Sequence, residues 1–88
     1  MKAPFPVVEV IWEDAASDVQ GWESEAEVSI DIVMTIGFLI AESPAGLLIA
    51  STACEEKTHN SRMTIPRTMV KSMKYLRGKP KVVKNAAA

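Results

Sequence analysis

Val28-Ser29-Ile30-Asp31-Ile32-Val33-Met34-Thr35-Ile36-Gly37-Phe38-Leu39-Ile40-Ala41 is the stretch that decides the fold. Every even position from 28 to 40 is apolar, whereas Ser29, Asp31, Thr35 and Gly37 interrupt the odd positions. A period of two kept up for that long predicts a β-strand over 28–41, because apolar positions of a helix recur every three or four residues. The even-numbered side chains are expected to face the core. A strand well beyond the usual length of about five or six residues has to bend, and Gly37 is where a bend or bulge costs least. One long bent strand can serve both halves of a core, so the predicted fold is mainly β: a small five-stranded barrel, antiparallel and strongly bent.

Downstream, Glu42-Ser43-Pro44-Ala45-Gly46 has the composition of a turn, and Leu47 to Thr52 reads as the returning strand of a hairpin. Upstream, the β-branched run Val7-Val8-Glu9-Val10-Ile11-Trp12 follows the breakers Pro4 and Pro6 and puts Val8, Val10 and Trp12 on one face of a first strand. Residues 13 to 27 are acidic and broken by Gly21, a long connection whose Trp22 is expected to fold back onto the barrel. After a polar loop from Ala53 to Asn60 comes a further strand, Ser61 to Ile65. Met69 to Leu76 fits two patterns. Met69, Val70, Met73 and Leu76 have helical spacing with Arg67, Lys71 and Lys74 opposite, while Ile65-Pro66 ahead of an apolar run also suits a strand, one 3₁₀ turn and another strand.

With 88 residues there is room for one core, which at this size hides only about 60–65% of the surface of the unfolded chain. The expected organisation is a lead-in over 1–6, one barrel domain over 7–78 and a basic tail over 79–88 that frays at its alanines. The single cysteine, Cys54, cannot form an internal disulfide, and no signal segment opens the sequence, so a cytoplasmic location is expected. The most apolar stretch, Ile32 to Ala41, is far short of the roughly 20 residues of a membrane helix.

A net charge of −1 hides a strong segregation. Met1 to Glu56 holds all 11 acidic residues and one basic residue, Lys2, a balance of −10; the remainder holds the other nine basic residues and no acid, a balance of +9. Such polarity implies one surface that attracts anions, or two surfaces that attract each other between copies. Tyr75 lies among Lys71, Lys74 and Arg77, and an aromatic inside a basic cluster suits stacking and phosphate contact on single-stranded nucleic acid. The expected polyanion contacts are therefore Arg67, Lys71, Lys74, Tyr75, Arg77 and Lys79. The same cluster could equally be solvated, or pair with the acidic half of a neighbour.

Catalysis has little to stand on. Cys54 and His59 could be drawn as nucleophile and base, but such a pair needs hydrogen-bond reach and an orienting group, which spacing does not supply. As metal ligands they are too few, since a zinc site takes three or four. Glu23, Glu25 and Glu27 lack the glycine and Asn/Asp pattern of a calcium loop and read as a solvated acidic edge. The methionines Met34, Met63, Met69 and Met73 are expected to fill the core. No phosphate-binding loop, dinucleotide fingerprint or serine elbow is present, and no cofactor is expected.

Trp12-Glu13-Asp14-Ala15, Trp22, Thr35-Ile36-Gly37-Phe38-Leu39-Ile40-Ala41-Glu42, Leu48-Ile49-Ala50 and Ile65-Pro66-Arg67 with Val70 and Leu76 together resemble a group of small proteins of tailed phages and prophages. The resemblance runs from Val7 to Leu76. It implies a Src-homology-3-like or Sm-like barrel, including a cyanophage Sm-like type that assembles into rings. Src-homology-3 domains pass from fourth to fifth strand through a 3₁₀ turn at such an Ile-Pro-x-x-x-Val element, which favours strand for Met69 to Leu76. Leu76-Arg77-Gly78 is similar to the Arg-Gly of the second Sm motif; the glycine and aspartate of the first are missing. The family carries no catalytic residues to transfer. A homo-oligomer without enzymatic activity is expected, acting in the host cytoplasm if phage-encoded, away from membranes. Its basic C-terminal part would bind RNA, DNA or a nucleotide-like polyanion; alternatively it would be a protein-interaction module on a host or phage complex, with charge segregation serving assembly.

Overall fold

The computed structural model describes residues 1–15 and 30–78. They form β1 (Val7–Ala15), β2 (Ile30–Ser43), β3 (Gly46–Ala53), β4 (His59–Pro66), a 3₁₀ turn (Arg67–Met69) and β5 (Val70–Arg77). All five strands are antiparallel members of one sheet in the order β4-β3-β2-β1-β5. The mainly β, five-stranded expectation holds. The sheet is not closed: β4 and β5 lie at its two ends and do not pair with each other among the described residues. The expected return of Trp22 falls outside these residues, as do Val28 and Ser29.

The bend in β2 lets it serve two sub-sheets. Ile30 to Phe38 pairs with β1 in unbroken register, and Phe38 to Ser43 pairs with β3 in a register that shifts between Leu39 and Ala41. The irregularity therefore falls at Ile40 and not at Gly37. What requires glycine at 37 is close approach: a Cβ there would lie 2.6 Å from Ile49 Cγ2 and 2.8 Å from the Ala50 carbonyl oxygen. Gly46 is held likewise, with the Ile65 carbonyl oxygen 2.5 Å from where its Cβ would be. In the β2–β3 turn the Ala45 N–H donates to Ser43 Oγ at 3.0 Å, a local side-chain closure typical of serine in turns.

Val8, Val10 and Trp12 of β1 point inward as expected and join Leu39, Leu47, Ile49 and Ile65 in the buried core, with Val33, Met69, Val70, Met73 and Tyr75 packed against it. The face expected for β2 is inverted. Ile30, Ile32, Met34 and Ile36 are 57%, 59%, 57% and 56% exposed, whereas Leu39 is buried and Val33 and Thr35 are half-buried. Cross-strand partners share a face, and the register sets Val8, Val10 and Trp12 opposite Gly37, Thr35 and Val33. Glu9 and Glu13 stand opposite Ile36 and Ile32, so keeping the carboxylates in water carries these isoleucines outward with them. Met34 is for the same reason surface and not core filler, and Met63, on an edge strand, is 44% exposed. Met69 to Leu76 resolves as the end of the 3₁₀ turn followed by strand.

Two tethers complete the fold. The Arg67 N–H donates to the Ala45 carbonyl at 2.9 Å, tying the 3₁₀ turn to the β2–β3 hairpin. The lead-in is anchored as well: Pro4 is buried, the Leu39 N–H donates to the Pro6 carbonyl at 2.8 Å, and Lys57 Nζ donates to the Pro4 carbonyl at 2.7 Å.

Candidate functional site

Among the described residues the topology sets an acidic and a basic stretch of the chain side by side. β1, which carries Glu9, Glu13 and Asp14, pairs antiparallel with β5, which carries Lys71, Lys74 and Arg77. Lys74 stands directly opposite Glu9. Lys71, at the register shift between Ile11 and Trp12, reaches Glu13 Oε1 at 3.2 Å, with the two side chains 51% and 43% exposed. A pair this open contributes only about 0–1 kcal/mol, yet it lowers the local positive potential that a polyanion would meet.

The remaining expected polyanion contacts lie elsewhere. Arg67 is half-buried and donates from its guanidinium to the Ser43 carbonyl at 2.8 Å, which commits it to the β2–β3 turn. Tyr75 lies opposite Val8 on the inner face and packs against the core. Burial pushes its phenol above the ordinary value, with the Glu42 carboxylate adding to the rise and Arg67 opposing it. A ring held there is not a free stacking platform. Arg77 is exposed at the end of β5 opposite Val7, and Lys79 falls outside the described residues. The fold thus brings Lys71 and Lys74 together on one edge strand beside two carboxylates, and separates Arg67 and Tyr75 from them.

Cys54 and His59 both line a shallow cavity of about 140 Å³ beside the β3–β4 turn, together with Thr52 and Thr58. Cys54 is exposed, and its thiol is held below the ordinary value by the Glu56 N–H and the Thr58 hydroxyl. The turn is closed by the Cys54 N–H on the Thr58 carbonyl and the Lys57 N–H on the Cys54 carbonyl, both at 2.8 Å, with Lys57 at φ 71°. His59 is half-buried, meets Phe5 edge-on at 5.8 Å between ring centroids, and among the described residues has no hydrogen-bond partner on Nδ1. None of the described residues gives it the orienting carboxylate a general base needs. Lys57 Nζ sits 5.4 Å from the Phe5 ring centroid, so this corner is a clasp between lead-in and turn. Sequence spacing could not find that clasp, because it joins residues over fifty positions apart. Among the described residues no group of three or more His, Cys, Asp and Glu side chains is placed to hold a metal ion. None of their helices is long and apolar enough to cross a membrane.

The most unusual surface is one the charge pattern did not point to. Ile30, Ile32, Met34 and Ile36 form an exposed apolar row along the outer face of β2, beside Ile11 of β1. No protein-family model, curated protein or solved structure matches the chain.

Proposed function

We propose that this chain is a non-enzymatic β module that works as a homo-oligomer, a protein-interaction and assembly unit and not a polyanion receptor. The observation that carries this is the open sheet: β4 and β5 end it on either side, each with one edge unpaired among the described residues. Unpaired strand edges are templates for another strand, and the exposed apolar row along β2 makes association favourable. The Ile65-Pro66 passage through a 3₁₀ turn into β5 agrees with kinship to the small barrels of phages, and self-assembly fits that kinship. Polyanion binding has weaker support, since Lys71 is paired with Glu13, Lys74 faces Glu9, and Tyr75 is turned into the core.

Light scattering on the full chain at micromolar concentration in low salt tests the proposal. A mass that is a multiple of 9.6 kDa is expected. A monomer under those conditions overturns it. Protein purified without nuclease should show an absorbance spectrum free of nucleic acid, and persistent nucleic acid would restore polyanion binding.

A further inference from the structure

We propose that the outer edge of Ile30 to Gly37 is a self-pairing edge: two copies of this chain continue their sheets by antiparallel pairing of this segment with itself, about a two-fold axis at Val33. This rests on the self-association proposed above and names the surface that performs it.

Among the described residues, Ile30 to Gly37 pairs with β1 on one side and with nothing on the other, because β3 joins β2 only from Phe38 onward. The direction of the free backbone groups follows from one bond. The Leu39 N–H donates to the Pro6 carbonyl, on the β1 side. Backbone groups alternate along a strand, and the β1–β2 register runs without a shift, so Gly37, Thr35, Val33 and Asp31 also turn their N–H and C=O toward β1. Ile36, Met34, Ile32 and Ile30 therefore turn theirs toward the open edge. These are the same four residues whose side chains form the exposed apolar row.

Open edges are ordinarily guarded by charge, proline or irregularity. The β4 edge has Arg62, Pro66 and a left-handed Ser61 at φ 55°; the β5 edge has Lys71, Lys74 and Arg77. Between Ile30 and Gly37 there is no lysine, arginine or proline, and Asp31 is the only charge. Of the open edges this one is the least protected.

What fits it is an extended strand, and the segment is complementary to itself. With Val33 on the axis, Ile30 meets Ile36 and Ile32 meets Met34 of the second copy, so all four outward-turned backbones find partners. An axis at Met34 would instead set Ile30 against Phe38, whose outer side is already taken by Ala50 of β3. Asp31 meets Thr35 of the second copy and never its own mate. Thr35 Oγ1 accepts the Trp12 indole N–H at 2.9 Å, which leaves its O–H to donate to that carboxylate. The pairing is isologous and closes at two copies.

The test uses the full chain and variants. Met34→Pro removes an N–H that points off the sheet, so it deletes no bond to β1 while blocking the pairing at its centre; Ile32→Lys places a charge in the row and serves if the proline variant misfolds. Each should melt as the wild-type monomer does and raise the dimer dissociation constant at least roughly tenfold. In a Cys54→Ser background, Val33→Cys should oxidise to a disulfide-linked dimer, because residues facing each other across a non-hydrogen-bonded pair have Cα atoms about 4.5 Å apart. Wild-type mass in both edge variants with no cross-link overturns the inference and leaves self-association standing through another edge. A wild-type monomer whose Ile30, Ile32, Met34 and Ile36 amides resist hydrogen exchange overturns both, since the chain would then cover this edge with its own residues.

Discussion

Ile30 to Gly37 and Phe38 to Ser43 belong to one strand, yet among the described residues the first pairs with β1 alone and shows its isoleucines to solvent, while the second is covered by β3 and buries Leu39 to 7% exposure. Hydrophobicity does not separate them. Neighbours do: the first half is registered against a strand whose other face carries Glu9 and Glu13, and the second against Leu48, Ile49 and Ala50. An apolar side chain in a strand is thus exposed or buried according to what its cross-strand partner must do with water.

Leu39→Ala should separate the halves most sharply. It leaves a cavity beside Leu47 and Ile49 and should cost about 3 kcal/mol in chemical denaturation. A loss below about 1 kcal/mol would mean that the covered half is not the core. Next in size is Gly37→Ala at the junction, where the new methyl meets Ile49 Cγ2 and the Ala50 carbonyl inside ordinary contact distance. Overpacking of that kind should cost about 2 kcal/mol, and unchanged melting would show that the two sub-sheets can separate there freely. Smaller again is Thr35→Val, which strips the acceptor from the Trp12 indole and should cost about 1 kcal/mol. A neutral result would detach the inner face of the first half from the core. The smallest effect belongs to Ile36→Asp: compared as monomers, this variant should lose less than about 1 kcal/mol, because the site is 56% exposed. A loss of several kcal/mol would restore the buried even face that periodicity alone suggests.

By itself the sequence determined that this chain is built of strands. Alternation from residue 28 onward, the β-branched run at Val7 to Trp12, the turn at Ser43 to Gly46 and the Ile65-Pro66 punctuation are local signals, and local backbone preference is what they encode. It also marked the inward face of β1, where valines and a tryptophan alternate with glutamates. Only the tertiary structure decided which face of β2 is buried, because that strand is apolar on its even positions and partly so on its odd ones, and the choice passes through the register with β1. It likewise decided the fate of the charges. Among the described residues, charges far apart along the chain come together once the first and last strands lie side by side, Glu13 bridged to Lys71 and Glu9 standing opposite Lys74. Tyr75, basic in its sequence neighbourhood, turns inward because the strand alternates and its partner is Val8. Pattern along a chain reports conformation; pairing between distant segments sets exposure, and exposure decides which surface is free to act.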